Sequence, residues 1–334
     1  MRIVQLIRDG ERRVAMVEEP WLQLLQVSAA PTVYELALSA VESGQSLTHI
    51  IQQALVSERI DYDSVYQGRS EWRLLVPFDH SQEPARCLVS GTGLTHKASA
   101  DNRSAMHDKS AAQITDSMRM YQMGIEGGRP APGHIGVQPE WFYKGSGTIL
   151  RAHGEPLDVP RYARDGGEEP EIAAAYLISE SGVPHRIGFA TANEFSDHVM
   201  EKQNYLYLAP SKLRTCSIGP ELSVGDFPFD DLPGEVSIYR SGATLWSKQI
   251  RSGENNMCHS LANLEHHHFK YAQHRRPGDA HIHFFGASAF SFGEGLALED
   301  GDLMQVSFPA LGRPLRNPLR HEASPEMLIS VRAL

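Results

Sequence analysis

Between residues 140 and 320 the chain breaks into short apolar, β-prone pieces set apart by Gly and Pro: WFYKG, AAAYLIS, RIGFATA, EVSIYRS, HIHFFGA and LMQVSFP. Pieces this short, bounded by turn formers, cannot hold the 3.6-residue period of a long amphipathic helix, and they read as strands. Only two helices are expected in this stretch, at about 194–203 and 257–271. The region therefore predicts a β-rich domain with a few helices packed on it.

The N-terminal part is mixed. MRIVQLIR and RRVAMVEE flank Asp9-Gly10, which predicts a hairpin over 2–18 with a type I′ turn. Thr32-Val33-Tyr34-Glu35 has the form of a capping box opening a helix to about 43. A second helix is expected over 46–57 and a strand over 73–78. Residues 1–83 read as a small α+β domain, 81–84 as a linker, and 85–334 as the second domain. In the latter, 85–92 reads as a buried strand, and 99–123 has helical spacing at Ala105, Ala112, Met118 and Met120. The Gly/Pro-rich run 124–139 is long enough to suggest an active-site wall or lid.

Charge and cysteine usage exclude several classes. With 31 Lys and Arg against 41 Asp and Glu, the net charge is −10, which argues against a nucleic-acid partner. No apolar run approaches the ~20 residues of a membrane span, and charges interrupt the N-terminal MRIVQLIRDGERR before it can act as a signal segment. Three widely spaced cysteines, Cys87, Cys216 and Cys258, fit a reducing, cytoplasmic setting rather than a disulfide framework. GxSxG, HExxH, Walker A and CxxC patterns are all missing from the sequence.

Several residue groups could carry chemistry. In Glu168-Glu169-Pro170-Glu171, strand geometry would project Glu169 and Glu171 to one face. Adjacent carboxylates repel unless a cation or shared proton intervenes, and their oxygens suit Mg²⁺, Mn²⁺ or Ca²⁺. Pro170 lacks an N–H, so this strand end should lie at an edge or rim. Glu194, at a strand-to-helix junction, could add a third carboxylate, with His198 and Glu201 sharing a helical face beyond it. Lys212 could hold an anionic group, and His96, on a Gly-flexible turn after a buried strand, suits general acid/base work. Taken singly, each group also reads as ordinary surface or capping chemistry. His266-His267-His268 cannot all face one way on a helix, whereas His281 and His283 share a strand face. With carboxylates rather than N or S ligands converging, the histidines read as core or interface residues, not a zinc site.

In order and spacing, these pieces resemble the fumarylacetoacetate hydrolase superfamily over roughly residues 85–320. The matching elements are Glu169-x-Glu171, Asn193-Glu194-Phe195-Ser196, Lys212, Gly219-Pro220, Pro277-Gly278-Asp279, Gly286-Ala287-Ser288, Gly301-Asp302, then Gly312 and Asn317. Leu94-Thr95-His96 stands where the family has its catalytic-His segment, and Phe142-Tyr143-Lys144 resembles its Phe-x-Lys strand. EEPEI, NEFSDHV, NYLYLAPSKLR and NLEHHHFKY look like the GguC-type branch, found with bacterial sugar uptake genes. The chain departs from the pattern in four places, one being His198 and Glu201 where many members carry Arg and Gln. Glu194 replaces the usual Asp. Ser99 stands where many members carry the acid that orients the His, leaving Asp101 as the nearest acid. Ala287 replaces a substrate-contacting Thr, with Ser288 beside it.

The resemblance implies a β-roll of mixed sheets, usually a homodimer, with a divalent ion at its mouth. It implies metal ligands Glu169, Glu171 and Glu194, catalytic His96, Lys212 and Asp101, and substrate contacts from Lys144, His198, Glu201 and Ser288. An ion held by three carboxylates can act as a Lewis acid on a 2-oxo acid. The implied activity is a Mg²⁺-dependent lyase (Mn²⁺ and Ca²⁺ being alternatives). It would dehydrate a 2-keto-3-deoxy pentonate, arabinonate-like, to 2,5-dioxopentanoate through a metal-bound enolate. Two other readings stay open: hydrolytic C–C cleavage of a 2,4-dioxo-3-deoxy sugar acid, and a non-catalytic sugar-acid-binding protein.

Overall fold

A computed structural model describes residues 1–26, 31–101 and 115–334. Asp9 and Gly10 take positive φ, 50° and 83°, the backbone of the expected type I′ turn. It joins β1 (Arg2–Arg8) to β2 (Glu11–Glu18) in antiparallel register from Ile3↔Met16 to Arg8↔Glu11. After β3 (Trp21–Leu25), Thr32 caps α1 (Val33–Ser43): its hydroxyl accepts from Glu35 N–H, and Glu35 answers at the Thr32 N–H. Gly44 in the left-handed region ends that helix.

The next helix is shorter than expected. α2 (Leu47–Ala54) stops where β4 (Leu55–Asp61) begins, because Val56 and Ile60 pack with Leu22 and Val17 and the strand pairs with β3. α3 (Tyr62–Tyr66) follows. The expected strand at 73–78 is reduced to β5 (Arg73–Leu74), since Val76 O accepts from the Gln5 side chain instead of a ladder partner.

The chain continues through β6 (Cys87–Gly91), and residues 97–101 are helical. Ala105 and Ala112 lie outside the described residues. α4 (Asp116–Gly127) runs into the stretch expected to be loop. Then come β7 (Phe142–Ser146), β8 (Leu150–Arg151), β9 (Leu157–Val159), β10 (Pro170–Ile178) and β11 (Pro184–Asn193). α5 (His198–Gln203) and α6 (Leu208–Lys212) precede β12 (Cys216–Ile218), β13 (Leu222–Val224), β14 (Leu232–Arg240) and β15 (Ala243–Ser252). α7 (Leu261–Phe269), β16 (Ala280–Phe284), β17 (Leu303–Ser307) and β18 (Leu315–His321) complete the fold. Both expected helices here are trimmed: Asp197 caps α5 and Ser260 caps α7, which holds their starts to 198 and 261.

Among the described residues thirteen strands form one sheet, whose main path is β4-β3-β2-β1-β13-β11-β10-β16-β6-β7. Most pairs are antiparallel, but β16–β6 and β12–β8 are parallel. A second sheet runs β15-β14-β17-β18-β9. Because β1 pairs with β13, the strands of residues 1–83 extend the main sheet of the larger region. No helix of the described residues is long and apolar enough to cross a membrane.

β10 explains where the core sits. All nine of its residues are buried. Ala173, Ala175 and Leu177 pack with Val33 and Leu36 of α1 on one face. Ile172, Ala174, Tyr176 and Ile178 pack with Val236 and Val306 of the second sheet on the other. A strand covered on both sides has no need of polar alternation, hence the run IAAAYLI. Its β16 partner spans only Ala173–Leu177, so Pro170 sits beyond the end of that ladder, at the rim, as a residue without an N–H should.

Candidate metal and active site

The rim of β10 and β11 is stitched closed by backbone. Glu194 N–H donates to Glu169 O at 2.9 Å, and Gly167 and Ser196 exchange both bonds of an antiparallel bridge at 3.0 and 3.1 Å. Gly166 and Gly167 are needed for this closure: a Cβ on Gly166 would stand 2.4 Å from the Phe195 ring, and one on Gly167 2.6 Å from His198 Nδ1. Asn193 Oδ1 accepts the Glu169 N–H at 3.1 Å. The stitching keeps Asn193 to Ser196 extended rather than helical, and it carries Glu194 to the side of Glu169.

Glu169, Glu171 and Glu194 then converge, each offering an oxygen within 4.8 Å of the others, and all three are buried. Two lysines lie against them. Lys212, on α6, reaches Glu169 Oε1 at 2.6 Å, Glu194 Oε2 at 2.8 Å and Ser196 Oγ at 3.0 Å. Lys144, on β7, pairs with Glu194 Oε1 at 2.6 Å and donates to Phe195 O at 2.6 Å. Phe142, two residues before Lys144 and so on the same strand face, puts its ring 4.9 Å from Lys212 Nζ. Glu171 has a different environment: its Oε2 accepts the Gly286 N–H at 2.6 Å. Burial, then the charges of Glu194 and Glu169, push its carboxyl well above the usual range.

This donor set fits a hard divalent cation. Its atoms are all carboxylate oxygens, each with lone pairs beyond those the lysines use, and a cation would relieve the repulsion that lifts Glu171.

His96 is 3% exposed. Thr95 Oγ1 lies 2.9 Å from its Nδ1 and donates its own proton to Phe285 O at 2.6 Å. A hydroxyl has one proton, so Thr95 accepts from His96 Nδ1–H, and the lone pair of the neutral ring falls on Nε2. That atom is buried and has no hydrogen-bond partner. Burial lowers the His96 pKa to about 4, so the ring is neutral at pH 7.

The other expected site residues are placed unevenly. His198 Nε2 lies 3.2 Å from Glu169 Oε1, and its ring stacks on Phe290 at 4.9 Å. Burial opposes a charged His198, but the bond to Glu169 and the charges of Glu169 and Asp165 outweigh it and raise its pKa. Glu201, also buried, follows it on α5. Ser288 Oγ is buried with no partner. Lys144 is fully buried and pairs with Glu194.

Asp101 is not brought to the site. It is exposed and pairs with Lys97 one helical turn away at 2.8 Å, while His96 Nδ1 is satisfied by Thr95. The sequence reading also passed over Glu168, Thr95 and Ser196. Only the proximity of Glu168 to the Glu-x-Glu pair was visible in the sequence, and its partner is 123 residues away. His281 and His283 are buried core groups: His281 bonds His268, and His283 bonds Ser90 and Thr92. Cys87, Cys216 and Cys258 are buried free thiols.

The architecture is α+β, a roll built on a large mixed sheet and a second, smaller one, and solved structures share it. The particular likeness is to 2-keto-3-deoxy-D-arabinonate dehydratase. Its apo form aligns at a TM-score of 0.71 with 18% identity, over 97% of this chain and 100% of that one. The same enzyme complexed with magnesium and 2,5-dioxopentanoate aligns at 0.70 with 19% identity and the same coverage. A 5-carboxymethyl-2-hydroxymuconate delta-isomerase from Mycobacterium smegmatis aligns at 0.59 with 14% identity, over 96% of this chain and 100% of that one. At these identities the likeness is one of fold. No family model and no curated protein sequence matches the chain.

Proposed function

We propose that this protein is a divalent-metal-dependent lyase of 2-oxo sugar acids. It dehydrates a 2-keto-3-deoxy pentonate to 2,5-dioxopentanoate, with Glu169, Glu171 and Glu194 as the ligands of Mg²⁺. The observation that carries the reading is the convergence of three buried carboxylates within 4.8 Å. The fold shared with an enzyme complexed with magnesium and 2,5-dioxopentanoate supports the substrate class.

When bound, the ion supplies Lewis acidity to the keto oxygen and acidifies the protons at C3. The remaining work falls to side chains. His96 Nε2, neutral and unpartnered, takes a proton from C3. Returned to the C4 hydroxyl, that proton leaves with it as water. The 5-hydroxy enone left behind is an isomer of 2,5-dioxopentanoate, reached by moving a C5 proton and the hydroxyl proton onto C4 and C3. Lys212 faces the negative charge that develops on the oxo acid. Ser288, with its hydroxyl free, binds a substrate hydroxyl, and His198 and Glu201 serve as further substrate contacts.

His96 favours dehydration over hydrolytic cleavage. Its Nδ1 is held by a hydroxyl, not by a carboxylate that would strengthen it as a base toward water. We place the enzyme in the cytoplasm, as a homodimer. The decisive assay incubates D- and L-2-keto-3-deoxy pentonates with the protein and Mg²⁺ or Mn²⁺, then identifies products. Formation of 2,5-dioxopentanoate that stops with EDTA is the expected result. Pyruvate release, or turnover indifferent to EDTA, would overturn the reading.

A further inference from the structure

Glu168 takes no part in the chemistry above, yet it is fully buried, 0% exposed. Its two oxygens grip a single distant residue: Oε1 accepts the Ser291 N–H at 2.6 Å and Oε2 accepts from Ser291 Oγ at 2.9 Å. Five residues earlier, Gly286 N–H is held by Glu171 Oε2 at 2.6 Å. Gly286 adopts φ +94°, and a Cβ there would lie 2.1 Å from Thr95 Oγ1, so this end packs directly on the turn that carries His96. The segment 286–291 is thus tied at both ends to the acidic run that enters β10.

Between the ties lie Ser288, whose hydroxyl is buried without a partner, and Phe290, which stacks on His198 at an interplanar angle of 6°. A buried, unsatisfied hydroxyl is costly unless a ligand completes it. A bidentate grip on a neighbour three positions away fixes where that hydroxyl points without touching the ligand.

We propose that Glu168 is a positioning residue for substrate recognition: by holding Ser291 it presents the Ser288 hydroxyl to a hydroxyl of the bound sugar acid. The inference rests on the reading of the site given above. It goes beyond that reading by locating part of the specificity in a carboxylate that neither ligates the ion nor meets the substrate.

The test compares wild type, Glu168→Ala, Glu168→Gln and Ser288→Ala by steady-state kinetics on the 2-keto-3-deoxy pentonate, with Mg²⁺ affinity measured by calorimetry. Glu168→Ala is expected to raise KM about tenfold, the loss of one hydrogen bond to substrate, with kcat within about threefold and Mg²⁺ affinity unchanged. Glu168→Gln retains an acceptor for the Ser291 N–H and gains a donor for its Oγ, so it should return KM to near the wild-type value. The double variant with Ser288→Ala should be no worse than Glu168→Ala alone. Ser291→Ala, which removes only one of the two bonds, substitutes if Glu168→Ala fails to fold, and should raise KM about threefold. A KM unchanged in Glu168→Ala, or a loss confined to kcat and Mg²⁺ affinity, would overturn the positioning role while leaving the dehydratase reading intact. Absence of turnover by the wild type would overturn both.

Discussion

Two buried clusters of titratable side chains sit on neighbouring strands of the main sheet, and they meet burial in opposite ways. At the rim of β10, two of three carboxylates face lysine ammoniums at 2.6–2.8 Å. On β16, His281 and His283 face His268, two hydroxyls and aromatic rings, and burial pushes their pKa values down to about 3. Charges survive at the first site because opposite charges are supplied; at the second, burial outweighs the pull of Asp279 on His281 and leaves the imidazoles neutral. Among the described residues, the first is the group whose ligand atoms converge closely enough for one ion. The second serves packing: Trp141 Nε1–H donates to His268 Nδ1, which leaves His268 Nε2–H to donate to His281 Nδ1.

The sharpest way to break this contrast is to remove a carboxylate. Glu171→Ala should abolish turnover and weaken Mg²⁺ binding by more than about a hundredfold, the upper end for loss of an outer-shell partner alone. Calorimetry with MgCl₂ on the folded variant checks it. Unchanged affinity would mean that the trio is not the metal site.

Removing a lysine tests the other half of the pairing. Lys144→Met leaves Glu194 buried with one cation fewer, and breaking a buried pair from one side costs about 3–5 kcal/mol. Urea unfolding should show that loss. Saturating Mg²⁺ should recover part of it, about 2.7 kcal/mol at a hundred times the dissociation constant, because the ion binds only the folded chain. A loss below about 1 kcal/mol would place Lys144 among ordinary surface pairs.

The histidine side predicts a pH dependence. Folded His281 and His283 titrate near 3, whereas an unfolded chain takes up those protons near 6.5. Above 6.5 both states are neutral and the full stability is present. As pH falls from 6.5 toward 3, the unfolded state binds protons that the folded state refuses, and each histidine removes about 1.4 kcal/mol per pH unit. His283→Gln cannot titrate and should flatten the slope of stability between pH 6 and 5 by about that amount. An unaltered slope would mean that His283 is charged in the folded protein.

The two clusters also differ in how far the sequence reveals them. Two of the carboxylates were legible because Glu169-x-Glu171 is a local pattern, and the third, Glu194, because it stands at a strand-to-helix junction in Asn193-Glu194-Phe195-Ser196. The hairpin at Asp9-Gly10 and the capping box at Thr32 were legible for the same reason: their partners lie within four residues. The role of Lys144 was not, since it depends on Glu194, reached only when β7 and the β11 rim meet. The end of α2 was missed because Val56 and Ile60 obey packing against β3 rather than local helical preference. Glu168 looked like one more acid in an acidic run; nothing near it in sequence announces Ser291.

Asp101 gives the smallest effect and the cleanest contrast with Glu171. As the acid nearest His96 in sequence it was expected to assist catalysis, yet the helix that begins after His96 turns it outward to Lys97, an exposed i,i+4 pair. Such pairs contribute about 0.3–0.5 kcal/mol, and an exposed carboxylate has no leverage on an imidazole whose Nδ1 is already bonded. Asp101→Asn should therefore leave kcat and KM within about twofold and shift stability by no more than about 0.5 kcal/mol. Parallel assays with Thr95→Val, which removes the acceptor at Nδ1, give the comparison its direction. If Asp101→Asn proved the more damaging of the two, His96 would be oriented by the acid after all, and hydrolytic cleavage would regain its footing.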